Sequence, residues 1–176
     1  IAIIGRLVPQ KGHKYFLRAL KKLAACGLNV KGLIIGSGEL ETELKEYSAS
    51  LGLNGKVLFM GLRKDVDTLL RIVDILALPS LREGMPIAAL EAMACGTPVV
   101  ASDVGGKREV ITDGVTGYIV PPEDDALLAE KIKILIEDRA LANSFADAAR
   151  KRIRESFSNR QMLKTSEGLY TELFNK

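Results

Sequence analysis

The sequence predicts an α/β fold, a Rossmann-like, doubly wound parallel sheet of about six strands with extra helices at the C-terminal end. Short apolar runs alternate with helical patterns along most of the chain, and further helical patterns close it. The runs lack the strict alternation of apolar and polar residues that marks a half-buried strand, and continuous apolar strands are typical of parallel sheets covered on both faces. This βαβα order favours a single doubly wound sheet.

The candidate strands are rich in β-branched residues or leucine. They lie at 1–5, 30–36, 57–61, 74–79, 98–102 and 117–120. The candidate helices lie near 12–26, 39–51, 65–72, 86–95, 106–112, 124–137, 140–155 and 159–174. Because we find no internal repeat or linker, we expect one domain over residues 1–176.

Composition and charge set broad limits on function. Of the 176 residues, 47% are apolar and 27% are charged, which is typical of a globular domain with one core. The net charge of +3 fits an anionic ligand or an anionic membrane surface without requiring either. We expect no nucleic-acid partner. In the helix near 12–26, the basic face is expected to be solvated, and contact with a membrane is the alternative. That face carries Lys14, Arg18, Lys21 and Lys22.

The cysteines and the N-terminal residues bear on compartment and completeness. Cys26 and Cys95 lie in apolar helical patterns, so we expect buried free thiols in a reducing compartment. No signal peptide or membrane-length apolar run is present. The expected location is therefore cytoplasmic, with peripheral contact at the inner membrane face as the alternative. The chain opens at Ile1 in the middle of a strand, so we expect a piece of a longer protein.

Functional residues are expected just after the strands, because ligands of open α/β sheets bind at the carboxyl ends of the strands. Arg6 and Lys11 follow the first strand and flank a turn, where they form a candidate phosphate site or, alternatively, ordinary surface cations. The turn Gly36-Ser37-Gly38 lacks the third glycine of the dinucleotide fingerprint, since position 41 is Glu. This departure disfavours a dehydrogenase.

The stretch after the fourth strand carries two glutamates, Glu83 and Glu91, among apolar residues. Pro86 suits the first position of a helix, whose free N–H groups would form an anion site. Because no face of that helix is polar, we expect Glu91 to be buried. A buried carboxylate needs a partner. That partner is either a backbone N–H or a lysine of this chain, or the hydroxyl groups of a ligand.

Other motifs are interpreted as structural. Gly105-Gly106 after the fifth strand would allow a close backbone approach, and residues 112–117 form a turn. Asp65 and Asp67 spell a D-x-D pattern, but capping and favourable charge at a helix start explain it better than a metal. His13, the single histidine of the chain, is expected on the helix surface. A His-rich metal site and a Ser-His-Asp triad within this chain are therefore disfavoured.

Together these motifs resemble the carboxyl-terminal domain of family 4 glycosyltransferases, retaining enzymes of the GT-B fold. The resemblance covers essentially the whole chain and depends on the order and spacing of the motifs. They are Gly5-Arg6-Leu7, Lys11-Gly12, Gly36-Ser37-Gly38, Glu83-Gly84 followed by Glu91 with seven residues between the two glutamates, the run 91–100, Gly105-Gly106 with Glu109, and Gly114-Val115-Thr116-Gly117.

The resemblance implies a role for each site residue. Glu83 would contact the transferred sugar of a nucleotide-sugar donor and act as the catalytic residue, while Glu91 would hold the ribose hydroxyls. Arg6 and Lys11 would neutralise the diphosphate, whose charge grows as the glycosidic bond breaks. The backbone of Gly84, Met85, Pro86 and Ile87 would line the sugar and the diphosphate. Leu62 and Arg63 would lie beside the base. No metal or other cofactor is implied.

The resemblance also implies a missing partner domain. GT-B enzymes have two Rossmann-like domains, and the N-terminal one, which binds the acceptor, would precede Ile1. The final helix, about 159–174, would cross towards it, and its apolar positions could lack their cover here: Leu163, Leu169, Leu173 and Phe174. A GT-B sugar-nucleotide epimerase and a non-catalytic nucleotide-sugar-binding module are the alternatives. The spacing of Glu83 and Glu91 favours the transferase, and the complete set of site residues argues against a decayed module.

Overall fold

The structure, a computed structural model, describes residues 1–157 and, beyond them, residues 161, 163, 167, 170, 171, 173 and 174. Its centre is a six-stranded sheet in the order β3-β2-β1-β4-β5-β6. All strand pairs are parallel. The predicted fold class is confirmed, since this strand order is that of doubly wound dinucleotide-type sheets.

Each predicted strand contains an observed one: the strand at 57–61 has the predicted bounds, and the other five are shorter by one or two residues at one or both ends. The strands are β1 (Ala2–Ile4), β2 (Gly32–Ile35), β3 (Val57–Gly61), β4 (Leu76–Leu78), β5 (Val99–Ser102) and β6 (Tyr118–Val120). Alternate residues of a strand enter different hydrophobic clusters: Ile3 packs on one face of the sheet, and Ala2 on the other. Both faces are therefore buried, which explains why the strands are continuously apolar.

Seven helices cover the sheet in the part of the chain from 1 to 157. They are α1 (His13–Ala25), α2 (Glu41–Ser50), α3 (Val66–Ile72), α4 (Ile87–Cys95), α5 (Lys107–Val110), α6 (Asp125–Glu137) and α7 (Arg139–Ser156). Helix α1 packs against α6, and α4 packs against α3 and α7. The start of α6 is capped by Asp124, whose carboxylate accepts a hydrogen bond from the Leu127 N–H at 2.8 Å.

The basic face of α1 is largely engaged in ion pairs. Arg18 and Lys22 lie 2.8 and 3.7 Å from the carboxylate of Asp125. Lys14 pairs with Glu43 on α2. These contacts favour the solvated-surface interpretation over a face reserved for anionic lipid. Among the described residues, no helix is both long and apolar enough to span a bilayer.

Two predictions about cysteines differ from the structure. Both thiols are free, but Cys26 is exposed and Cys95 is half-buried. Burial was the wrong expectation because each cysteine lies at the end of its helix, Cys26 just after α1 and Cys95 as the last residue of α4, where the packed face ends.

The predicted final helix at 159–174 falls mostly on residues outside the described ones, and Leu169 is among these. Of its other apolar positions, Leu163, Leu173 and Phe174 are exposed, as is Tyr170. The expectation that these side chains lack cover agrees with this exposure. The path of the segment towards a further domain stays a prediction.

Candidate functional site

A cleft opens at the carboxyl ends of β1 and β4, which are adjacent in the sheet although β2 and β3 separate them along the chain. This is the topological switch point, where doubly wound sheets bind their ligands. The cleft has a volume of about 370 Å³. It is lined by Ile4, Gly5, Arg6, Lys11, Leu78, Glu83, Met85, Pro86, Ile87, Ala88 and Glu91. We call it the central cleft.

Two further pockets adjoin the central cleft and share residues with it. An outer pocket of about 410 Å³ is lined by Arg6, Gln10, Lys11, Arg82, Glu83 and Gly84. A side pocket of about 200 Å³ includes Leu62 and Arg63 and shares Arg6 with the others. The residues proposed for the site thus line one continuous region, although the sequence separates them by up to 85 positions, from Arg6 to Glu91.

Lys11 and Glu83 form an ion pair across the central cleft. The Lys11 Nζ lies 2.8 and 2.9 Å from the two carboxylate oxygens of Glu83. The hydroxyl of Ser80 donates a further hydrogen bond to Glu83 Oε2 at 3.0 Å. The side chains of Lys11 and Glu83 are 26% and 14% exposed, so solvent screens the pair only in part. Glu83 is therefore held in place without any ligand.

Arg6 differs from Lys11. It is exposed, and among the described residues its guanidinium has no hydrogen-bond or ion-pair partner. An unpaired guanidinium at the meeting point of three pockets can take a phosphate without first giving up another partner. Arg6 and Lys11 line both the central cleft and the outer pocket.

Glu91 is exposed, so the prediction of its burial is wrong. Helix α4 buries Ala89, Ala92 and Met93, whereas Glu91 lies on the opposite, open face with Ile87, which is 57% exposed. An apolar helix is not necessarily covered on all sides, and this face borders the cleft. Glu91 forms no ion pair or hydrogen bond with the described residues. The argument from desolvation therefore does not apply to it.

Helix α4 begins one residue later than predicted. Pro86 is the N-cap rather than the first helical residue, and its carbonyl accepts hydrogen bonds from Ala89 and Leu90. The missing N–H of Pro86 still costs nothing at this position. The first turn of the helix points into the central cleft, which is lined by Ile87 and Ala88. An anion there would interact favourably with the helix end.

The loop after β3 gives the side pocket its charged rim. Asp65 is the N-cap of α3 as predicted, but its side chain makes no capping hydrogen bond. It instead accepts two hydrogen bonds from Arg63, at 2.8 and 2.6 Å. The pair lies at the surface, and Leu62 is 79% exposed. The Arg63 side chain is thus paired within its own loop. A ligand in the side pocket would therefore meet the backbone groups of this loop rather than the Arg63 guanidinium.

The predicted close approach at Gly105-Gly106 exists, and its target is the loop that carries Glu83. Gly105 adopts φ of 60°, and a Cβ there would lie 1.9 Å from the Glu83 carbonyl oxygen. The Gly106 N–H donates to the Gly84 carbonyl at 3.2 Å. Gly38 likewise allows contact with the backbone of Leu7, which supports the structural interpretation of that turn. These glycines position the walls of the cleft.

Sequence reasoning missed a buried polar network beneath Glu83. Lys107 is completely buried, and its Nζ donates to the Leu78 carbonyl at 2.7 Å and to Ser102 Oγ at 3.3 Å. Ser102 in turn contacts the carbonyl of Ser80. Burial lowers the pKa of Lys107 to about 8, while Glu83 opposes this shift and Lys11 adds to it. The position of Lys107 directly after a glycine pair at a strand end was the available signal.

His13 is buried, so the surface assignment is wrong. Neither ring nitrogen has a hydrogen-bond partner among the described residues. Burial, and secondly the charge of Lys11, lowers the pKa of His13 to about 4. The ring is therefore neutral at physiological pH. The first turn of α1 follows Gly12 directly and packs into the core. The sequence suggested a surface position because His13 lies close to two lysines, Lys11 and Lys14.

The chemistry available to the cleft follows from its charges. Two cations, Arg6 and Lys11, can bind an anion, and two carboxylates, Glu83 and Glu91, can accept hydrogen bonds from hydroxyl groups. Among the described residues, no cluster of three or more His, Cys, Asp or Glu side chains could hold a metal ion. A ligand with a phosphate group and a polyhydroxylated part would match both halves of the site.

Comparison with known proteins gives one matching family model, "Glycosyl transferases group 1", over residues 1–152. An uncharacterised glycosyltransferase of Methanocaldococcus jannaschii is 35% identical over 173 residues. The match covers 97% of this chain but 44% of that relative. The chain thus spans about half the length of the curated relative that it matches.

Solved structures agree with this match. The Anabaena protein Alr3699/HepE, crystallised with UDP-glucose, superposes with a TM-score of 0.86 at 31% identity, covering 95% of this chain and 48% of that one. The C-terminal domain of the group 1 glycosyl transferase LpcC from Francisella tularensis superposes with a TM-score of 0.83 at 26% identity. This second match covers 90% of this chain and 85% of that domain.

Proposed function

The chain belongs to the group 1 glycosyl transferases, and from this premise we propose that it is the half of a retaining glycosyltransferase that binds the nucleotide-sugar donor. The match to an isolated C-terminal domain supports its place as the C-terminal half of a GT-B enzyme. The named relative and structures are glycosyltransferases or bind a nucleotide sugar, which favours a transferase over an epimerase or a binding module.

One observation carries the proposal. Arg6 and Lys11 follow β1, Glu83 and Glu91 follow β4, and all four line a single cleft at the switch point of the sheet. Cations for a diphosphate and carboxylates for hydroxyl groups are the two functional sets that a nucleotide sugar requires. Because both sets lie on this half, the isolated chain can bind the donor.

The cations and the helix end would hold the diphosphate. Arg6 would bind its oxygens directly, since the guanidinium has no partner among the described residues. The first turn of α4 would supply N–H groups and a favourable dipole. Negative charge grows on the diphosphate when the glycosidic bond breaks, so contacts that strengthen with this charge would lower the barrier to transfer.

The two carboxylates would serve the sugars. Glu91, exposed on the open face of α4, would accept hydrogen bonds from the ribose hydroxyls. Glu83 would contact the transferred sugar and act at the reacting centre. Leu62 and the backbone beside Arg63 would border the base in the side pocket. We propose uridine diphosphate sugars as the first donors to test, because a structural neighbour binds UDP-glucose.

Donor binding would rearrange the Lys11–Glu83 pair. In the structure Lys11 donates to both oxygens of Glu83. A diphosphate that needs Lys11 must draw it away from Glu83 or share it. The first outcome would leave the Glu83 oxygens free to accept sugar hydroxyls. The pair would thus protect both residues from unpaired burial until the donor arrives.

No metal is part of the proposal. The two cations would neutralise the diphosphate, which is the task that a divalent ion performs in metal-dependent transferases. Donor affinity should therefore persist in the presence of a chelator. Calorimetry with and without EDTA tests this point, and a loss of binding on chelation would require a metal ligand set outside the residues named here.

Transfer would need the other half of the enzyme. Retaining transfer requires donor and acceptor in contact and water excluded by closure of two domains, and this chain would supply one of the two walls. The acceptor domain is the proposed partner, and the acceptor itself is a glycan, a lipid or a small molecule.

The test is titration of the isolated chain with UDP, UDP-glucose, GDP and GDP-mannose, followed by incubation of each sugar nucleotide with acceptors. We expect binding of one nucleotide class and no transferred sugar unless the proposed acceptor domain is joined to the chain. Lack of binding to every diphosphate would refute the donor-site assignment. Turnover by the isolated chain would refute the two-domain mechanism.

A further inference from the structure

We propose that Lys107 is a positioning residue that acts through Ser102 and Ser80 to hold the loop 80–84, and with it the Glu83 carboxylate, in the orientation that the central cleft presents. The effect on a sugar donor rests on the function proposed above for Glu83. The support of the loop itself does not depend on that function, because it follows from contacts in the empty cleft.

Hydrogen bonds connect Lys107 with Glu83 through Ser102 and Ser80. The Lys107 ammonium donates to Ser102 Oγ at 3.3 Å, and Ser102 contacts the carbonyl of Ser80. The Ser80 hydroxyl donates to Glu83 Oε2 at 3.0 Å. Ser80 and Ser102 are each 1% exposed, and Lys107 is completely buried. Ser80 joins the two parts of the network, since its backbone carbonyl contacts Ser102 and its hydroxyl donates to Glu83. The buried members therefore satisfy one another rather than depending on water.

Lys107 lies where the loops after β4 and β5 meet. It is the first residue of α5 and directly follows Gly105 and Gly106, whose backbone contacts the carbonyls of Glu83 and Gly84. The Lys107 Nζ also donates to the Leu78 carbonyl at the end of β4, at 2.7 Å. Lys107 thus joins the end of β4 to the end of β5 and anchors both loops that meet at Glu83.

Lys107 also places a positive charge beneath Glu83. Burial lowers the pKa of Lys107 to about 8, yet the group stays largely protonated at neutral pH, helped by the Glu83 carboxylate. Lys11 is the other charged group that acts on it, and it has the opposite effect. When Lys11 turns towards a diphosphate, the buried ammonium keeps a positive charge beneath Glu83. An apolar residue at position 107 could not supply it.

The experiment uses two changes at different points of the network, Lys107→Met and Ser102→Ala, with Lys21→Met as the matched control. Lys21 is exposed on α1, away from the cleft. In the chain without ligand, amide hydrogen exchange is followed along the backbone. We expect exchange of residues 80–84 to rise about tenfold in both network variants and to stay unchanged in the control. Unchanged exchange at 80–84 in both variants would overturn the proposal, and so would a uniform rise over the whole sheet.

Calorimetry with UDP and UDP-glucose then tests the consequence for the donor. Residues that orient the ligands of a metal site typically change its affinity by about tenfold or more, and we take the same scale for residues that orient Glu83. We expect the Kd for UDP-glucose to rise about tenfold in the network variants and the Kd for UDP to change less than about twofold. Equal losses for the two ligands would refute a role specific to Glu83. If the wild-type chain binds neither ligand, the proposed function fails for uridine nucleotides, while the exchange experiment still decides the role of Lys107.

A pH profile separates positioning by the charged ammonium from mere filling of space. Between about pH 7 and pH 9 the wild-type Lys107 loses its proton, whereas the thioether side chain of the Lys107→Met variant has none to lose. We expect the preference for UDP-glucose over UDP to fall with rising pH in the wild-type chain and to stay flat in Lys107→Met. Identical profiles in the two proteins would overturn the role of the charge.

Discussion

Two carboxylates eight positions apart in the sequence, Glu83 and Glu91, lie in different surroundings on the same cleft. Glu83, in the loop after β4, is half-buried, accepts hydrogen bonds from Lys11 and Ser80, and lies above the network of Lys107. Glu91, on the open face of α4, is exposed and has no partner among the described residues. One carboxylate is held by the protein, and the other is free for a ligand.

The difference shows how the cleft can be ordered in one part and adaptable in another. A group at a reacting centre benefits from fixed placement, because reorienting it during the reaction costs free energy. Glu91, the proposed ribose contact, needs no such support, because an exposed carboxylate is solvated by water. Removing Glu83 should therefore change the empty protein, whereas removing Glu91 should change only the complex.

The largest effect is expected from the cations that both carboxylates border. Because a hydrogen bond to a charged group contributes about 1.5–3 kcal/mol, Arg6→Ala should weaken UDP binding by that amount, and the double change Arg6→Ala with Lys11→Ala by about 3 kcal/mol or more. Calorimetry measures this loss against Lys21→Met. Unchanged UDP affinity in the double variant would refute the assignment of Arg6 and Lys11 to the diphosphate site.

His13 should contribute to the loss of stability at acid pH, and its share has to be measured separately from that of the Lys11–Glu83 pair. The pKa of His13 is lowered from 6.5 to about 4, so between these values the unfolded chain binds a proton that the folded chain does not. Stability should therefore fall as the pH drops from about 6.5 to about 4, by about 3 kcal/mol from this residue. Denaturant unfolding of the wild type and of His13→Phe at several pH values measures the share. An equally steep loss in His13→Phe would assign the acid sensitivity to other groups, such as the Lys11–Glu83 pair.

Replacing Glu91 should affect ligand binding and leave the stability of the protein almost unchanged. Glu91→Gln should weaken UDP binding by about 1.5 kcal/mol, because a neutral amide is a weaker acceptor for ribose hydroxyls. Its free energy of unfolding should change by less than about 0.5 kcal/mol, since the side chain is exposed. Calorimetry and thermal melting give the two values. A lower melting temperature with normal UDP affinity would mean that Glu91 has a structural partner.

Glu83 should show the opposite and smaller pattern. Glu83→Gln breaks the ion pair with Lys11, and because both side chains are partly exposed, the loss of stability should be about 1 kcal/mol. UDP affinity should stay within about threefold of the wild type, because Lys11 becomes free for the diphosphate. Denaturant unfolding and calorimetry test both statements. A tenfold loss of UDP affinity would place Glu83 in the diphosphate site and erase the contrast with Glu91.

Much of the fold could be predicted because its signals are local. Continuous apolar strands, such as the one around Ile34, indicated burial on both faces, and glycines such as Gly105 marked tight approaches. The strand-end rule alone predicts that Arg6, Lys11, Glu83 and Glu91 lie at one edge of the sheet. The same rule applies to Lys107 after β5, but its role was missed because it depends on burial and on contacts with β4.

The errors share one physical cause, which is that burial depends on what packs against a residue from elsewhere in the chain. Glu91 and Cys26 lie in apolar surroundings along the sequence but are exposed in space, and His13 lies between lysines but is buried. The D-x-D aspartate Asp65 reached its predicted cap position but turned its side chain to Arg63.

By itself, the sequence of this protein determined the order of its strands and helices, the turns that glycine permits, and the set of charged residues at the strand ends, because each of these depends on neighbours along the chain. Only the tertiary structure decided which of those charges meet. Lys11 and Glu83 are 72 residues apart in sequence and 2.8 Å apart in space. Hydrogen bonds and ion pairs require placement within a few tenths of an ångström, and that precision arises only when the whole sheet and its helices pack together.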